Sequence, residues 1–136
     1  MRDLLLLEVA VTLLLTGLIW TIQLVHYPSF HWVDPNRFLA FTKFHQRQIS
    51  FLVLPLMVLE LTTGVGLAVL HQDGAYFRLG LTVLIWSSTF FLSVPLHNLL
   101  AQGPDPKVIQ RLIITNWPRT VLWTLRTILC LSWYKA

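Results

Sequence analysis

The sequence predicts an all-α integral membrane protein, a four-helix bundle with an amphipathic interfacial helix before the fourth span. Three observations carry that prediction. First, of 136 residues 55% are hydrophobic and only 12% charged, with a mean hydropathy of +0.65. A soluble domain carries about 25% charged residues, so a bilayer has to solvate much of this apolar surface. Second, the apolar residues gather into four runs, each close to the ~20 residues a helix needs to cross a bilayer core. Third, each run has a polar cluster near one end. The clusters are Gln23 to Pro28, Phe44 to Gln48, Val94 to Asn98 and Asn116 to Thr120. One domain of this length accounts for the whole chain.

The first span runs from about Leu4 to Tyr27. It is longer than a signal-peptide core and has no small-residue cleavage site, so it is expected to remain as an anchor. Gln23 and His26 are three residues apart and share a face. Pro28 has no N–H to donate, which predicts a helix end at Tyr27. Asp34-Pro35-Asn36 reads as a helix start near Pro35, and the apolar part of the second helix runs from Ile49 to Leu70. Pro55 is a candidate kink. Thr63, Gly64 and Gly66 form a small-residue face for close packing.

Asp73-Gly74 marks a polar turn between His71 and Arg78. The third span runs from Leu79 to Leu100, with Trp86, Phe90, Ser93 and His97 on one stripe and Pro95 bending the helix before the histidine. Gly103-Pro104-Asp105-Pro106 ends one helix and starts the next. Residues Lys107 to Thr115 alternate apolar and basic groups at helical spacing, the pattern of an interfacial helix. The fourth span follows from Asn116 to Trp133, with Pro118 either starting it or kinking a continuous helix. Asn116, Arg119, Trp123 and Arg126 lie on one stripe.

Four alternating spans bring all four polar clusters to one side of the bilayer. Ionisable groups at membrane depth turn inward and mark function. His45, His97 and Arg119 are therefore the candidate catalytic residues, and Gln23, His26, Asn98, Asn116 and Trp117 the candidate ligand contacts. Glu60 and Arg126 lie about 14–16 Å from the same end and are predicted to pair, with Glu8 as a competing partner. Arg37, Lys43, Arg47, Lys107, Arg111 and Arg119 lie toward the histidine end, against Arg2, Arg78 and Lys135 at the other. The positive-inside rule then puts the histidine end in the cytoplasm and both termini on the opposite side.

Some chemistry is excluded. The single cysteine, Cys130, rules out an intrachain disulfide and a multi-thiolate metal site, and no motif for covalent haem attachment is present. No nucleic-acid motif accompanies the small net charge of +4. Three histidines suit a transition metal, but Arg119 beside them opposes a cation and favours an anionic or carbonyl-bearing ligand. No metal site is therefore predicted. Non-covalent haem or a chlorophyll-type pigment needs only one or two histidines and stays open.

Two motifs carry a family resemblance. Val94-Pro95-Leu96-His97-Asn98-Leu99-Leu100 and Asn116-Trp117-Pro118-Arg119-Thr120 resemble segments of the anthrone oxygenase-like family of small four-span membrane proteins. That family tends to carry Val-Pro-Leu-Asn before the third loop and a Trp-Asn-x-x-Arg-type motif opening the fourth span. Here His97 replaces the asparagine, and Asn116 and Trp117 stand in reversed order. The resemblance implies oxidation of a lipophilic aromatic substrate with O2 and no cofactor. Two function classes follow for testing. One is an oxygenase- or oxidase-like enzyme acting on an aromatic or quinone-like molecule. The other is an accessory subunit holding haem, a chlorophyll-type pigment or a quinone, as a homo-oligomer or within a larger membrane complex. A purely structural helix bundle is a third possibility.

Overall fold

The computed structural model describes residues 1–135, and among them there is helix and no strand. Six α-helices make four long columns. α1 (Arg2–Thr21) continues through a π-turn (Ile22–His26), a single turn α2 (Tyr27–Ser29) and a 3-10 turn (Phe30–Trp32). α3 (Phe38–Val69) is one unbroken rod of 32 residues, with Pro55 inside it. α4 (Ala75–Ser88) passes through a second π-turn (Thr89–Ser93) into α5 (Val94–Leu100). α6 (Pro106–Lys135) completes the set.

Three of these columns, Arg2–Trp32, Phe38–Val69 and Ala75–Leu100, are long and apolar enough to cross a membrane, with window hydropathies of 2.2, 2.0 and 1.7. α6 is as long, at 30 residues, but carries Lys107, Arg111, Arg119 and Arg126. Polarity runs inside out. Phe51 and Phe91 are 80% and 79% exposed, whereas Glu8, Glu60, Arg78 and Arg126 are fully buried. A surface of that kind belongs in lipid, where apolar side chains face outward and charges turn inward.

The first column does not end at Pro28. The Tyr27 N–H bonds to the carbonyl of Ile22, five residues back rather than four. Widening the turn in this way makes room for the proline ring, and Ser29 Oγ donates to the His26 carbonyl at 2.6 Å. The third column uses the same device: the Val94 N–H bonds to the Thr89 carbonyl just ahead of Pro95. The separate interfacial helix expected at residues 107–115 is not there. Those residues form the first turns of α6, which passes through Pro118 without a break. Ile109 and Leu112 are buried against the other columns rather than laid along a membrane surface.

α3 begins at Phe38 rather than near Pro35, because Asp34 Oδ1 accepts from the Asn36 N–H at 2.7 Å in a local turn and not as a helix cap. Asp105 does cap α6, accepting from the backbone N–H groups of Lys107 and Val108 at 2.8 and 3.3 Å.

α1 packs on α3 and α6, and α4 packs on the same two helices. Leu5, Leu67, Ala68 and Ala75 gather at one end of the columns. Gly74 (φ +70) starts α4 there, and the Trp133 indole occupies the place a β-carbon would take. The main core, from Val11 to Trp123, fills the middle and the opposite end, around Tyr27, Phe30, Leu96 and Leu100.

Candidate functional site

Three helical columns each bring one histidine to the opposite end. His26 closes the first π-turn, His45 lies two turns into α3, and His97 follows Pro95 in α5. His26 Nε2 is 2.5 Å from His45 Nδ1. The His45 and His97 rings have centroids 5.4 Å apart. His97 Nε2 is 3.0 Å from the Tyr27 hydroxyl. Phe30 and Phe41 enclose the His45 ring at 5.2 and 6.5 Å. His45 Nε2 and His97 Nδ1 are both buried with no hydrogen-bond partner among the described residues.

Arg119 of α6 stands next to this row. It is 6% exposed, its Nη1 donates to Ser93 Oγ at 2.5 Å, and it lines the same cavity as Tyr27. Its Nε has no partner among the described residues. Ser93 is the last residue of the second π-turn and Tyr27 follows the first, so the two widened turns place the groups that meet Arg119. Neither Tyr27 nor Ser93 was singled out as a site residue from the sequence. Tyr27 follows a π-turn, whose shifted helical phase a 3.6-residue stripe cannot register, whereas Ser93 lies on the same stripe as Trp86, Phe90 and His97, and all four line one cavity.

A cavity of about 250 Å³ begins at these groups. Tyr27, His97, Ser93 and Arg119 form its polar wall. Ile49, Val53, Met57, Trp86 and Phe90 form its apolar walls. Leu54, Phe90 and Val94 line it and are themselves 48%, 53% and 40% exposed, so it opens sideways between α3 and the third column. A second cavity of about 250 Å³ lies on the other flank of α3, against the first column, and His26 and His45 line it.

The remaining expected contacts stand elsewhere. Asn116 Nδ2 donates to Gln23 Oε1 at 2.8 Å, and Gln23 Nε2 donates to the Ile113 carbonyl at 3.1 Å. This buried pair ties the first column to α6 and lines neither cavity. Asn98 is exposed. Trp117 is 42% exposed and packs edge-on against Trp20.

Comparison of the chain with family models, with characterised proteins and with solved structures gives no match. The chemistry of the site is therefore read from its geometry.

The second polar centre is larger than the expected pair. Arg126 Nη1 lies 3.1 Å from Glu60 Oε1. Arg126 Nη2 also meets Glu8 Oε1 at 2.8 Å, and Glu8 Oε2 meets Arg78 Nε at 3.1 Å. Two carboxylates and two guanidinium groups thus form a neutral chain, with each carboxylate paired. Thr12 and Trp123 donate to Glu60, Arg126 donates to Thr82 and to Thr12, and Arg78 donates to Gln72. Such saturation suits a structural centre. In the sequence, Gln72-Asp73-Gly74 make Arg78 read as part of a polar turn.

Trp123 joins the two centres: its indole N–H reaches Glu60 at 3.2 Å, and the Arg119 guanidinium lies over its ring at 5.7 Å. Among the described residues no group of three His, Cys, Asp or Glu is arranged to hold a metal ion. His45 is faced by His26, Phe30, Phe41 and His97. The cavity beside His97 fits a small polar head group on an apolar body.

Proposed function

We propose that the chain is an integral membrane four-helix bundle with α6 as its fourth span. In this reading the cavity between α3 and the third column takes a lipophilic phenol or quinone-like molecule from the bilayer. The observation that carries it is the polar wall: the Tyr27 hydroxyl, His97 and the buried Arg119 guanidinium meet at one end of an otherwise apolar, laterally open cavity. A side opening suits a ligand that arrives through lipid. Arg119 holds a phenolate or quinone oxygen, because a fixed cation in a dry site stabilises developing negative charge. Tyr27 and His97 pass the phenolic proton on along their hydrogen bond.

An electron-rich phenolate is the species that O2 oxidises, so the reading extends to an oxidase- or oxygenase-like enzyme with O2 as electron acceptor. The resemblance to anthrone oxygenase-like proteins supports the same chemistry. Trp86 lines the cavity and offers the test. Titration of the detergent-solubilised protein with an alkyl-chain nitrophenol, or with a short-chain quinone, should quench a fluorescence component that Trp86→Phe removes. Arg119→Gln should weaken binding about tenfold or more, the effect of losing a hydrogen bond to a charged group. No quenching, or equal binding by Arg119→Gln with helix content intact, would contradict the proposal.

A further inference from the structure

We propose that His26, His45 and His97 form a proton relay that joins the ligand cavity to the second cavity on the far flank of α3. The relay rests on the phenol-binding reading above and adds the path its proton follows. The geometry alternates as such a chain requires. Tyr27 meets His97 Nε2 at 3.0 Å, and His45 Nδ1 meets His26 Nε2 at 2.5 Å. The two nitrogens left over, His97 Nδ1 and His45 Nε2, are buried without a partner and belong to the two rings whose centroids are 5.4 Å apart. In the relay a water bridges these two nitrogens. Packing alone does not call for imidazoles here. Phe30 and Phe41 already fill the same neighbourhood, and a buried nitrogen without a partner is costly.

The step balances in protons alone. The phenol O–H bond breaks as the Tyr27 oxygen takes the proton and passes its own to His97 Nε2. His97 releases a proton from Nδ1 toward His45 Nε2, His45 releases one from Nδ1 to His26 Nε2, and His26 releases one to water. The phenolate stays beside Arg119, and each ring has exchanged tautomers. The exit is the second cavity, lined by His26 together with Gln48 and Phe44, both exposed. His26 and His45 touch no ligand in this scheme; they act through His97.

The test mixes the full-length protein rapidly with the alkyl-chain nitrophenol and follows three signals. Trp86 quenching reports binding, visible absorbance reports the phenolate, and a pH dye reports the proton in solution. In the wild type the dye should follow the phenolate closely. His26→Gln and His45→Gln should still bind the nitrophenol but release its proton about a hundredfold more slowly. Added imidazole should restore release in His26→Ala, where it can enter from the second cavity, a rescue that a packing role would not give. Release at the wild-type rate in the glutamine variants, or failure of imidazole to rescue His26→Ala, would overturn the relay while leaving the binding site intact. Absence of quenching in the wild type would overturn the binding reading itself, and the relay with it.

Discussion

His26 Nε2 and His45 Nδ1 lie 2.5 Å apart, joining the first column to α3 through a single proton. One ring must donate while the other accepts, so the two residues act as a unit. Their substitutions should therefore not be additive. His26→Ala and His45→Ala should each destabilise the protein, and the double variant should cost about 1 kcal/mol less than the sum of the two. Denaturation in mixed detergent micelles, followed by helix content, measures this. Additive losses would mean that the contact contributes nothing beyond packing.

The charged chain in the other half makes a graded prediction. Arg126 holds both Glu8 and Glu60, whereas among the described residues Glu60 pairs with no cation but Arg126. Arg126→Gln leaves Glu60 without a cation and should cost about 3–5 kcal/mol. Adding Glu60→Gln leaves Glu8 paired with Arg78 and should recover part of that loss. The same unfolding measurement decides it. A double variant less stable than Arg126→Gln alone would show that the four charges are not one network.

Gly74 combines a positive φ with contact to the Trp133 indole. Gly74→Ala should destabilise by about 1–3 kcal/mol. In a Trp133→Leu background the steric part should vanish and about 1 kcal/mol of backbone strain remain. Thermal unfolding of the three variants separates the two contributions, and an alanine as costly with leucine as with tryptophan would refute the indole contact.

Much of this architecture was readable before any coordinates. Alternating helix direction alone puts His26, His45, His97 and Arg119 toward one end, and equal depth puts Glu60 opposite Arg126. What was not readable has a common physical cause. The two π-turns at Ile22–His26 and Thr89–Ser93 rotate the residues beyond them. Tyr27 therefore turns toward the cavity that Arg119 lines, while Asn98 faces outward. Pro28 reads as a helix end because proline lacks a donor, yet the helix widens ahead of it, and of the two readings open for Pro118 the continuous helix is the one observed. Arg78 is hidden in the sequence because its neighbours Gln72, Asp73 and Gly74 resemble a solvated turn, whereas Gln72 Oε1 and the Asp73 carbonyl accept from its guanidinium.

Orientation in the bilayer is a separate expectation. The exposed Arg37, Lys43, Arg47, Lys107 and Arg111 all lie toward the histidine end, which the positive-inside rule puts in the cytoplasm. A reporter fused after Ala136 should score as non-cytoplasmic, and one inserted in the loop at residues 101–105 as cytoplasmic. The reverse pattern would invert the orientation.

The most direct test of the account is the colour of a bound alkyl-chain nitrophenol at a pH below the pKa of the free probe. Protein with Tyr27, His97 and Arg119 in place should bind it as the yellow phenolate. Arg119→Gln should bind more weakly and leave the probe as the colourless phenol, because the cation that stabilises the phenolate oxygen is gone. A probe that stays colourless on the wild-type protein, or turns equally yellow on Arg119→Gln, would contradict the claim that this wall binds and deprotonates a phenolic head group.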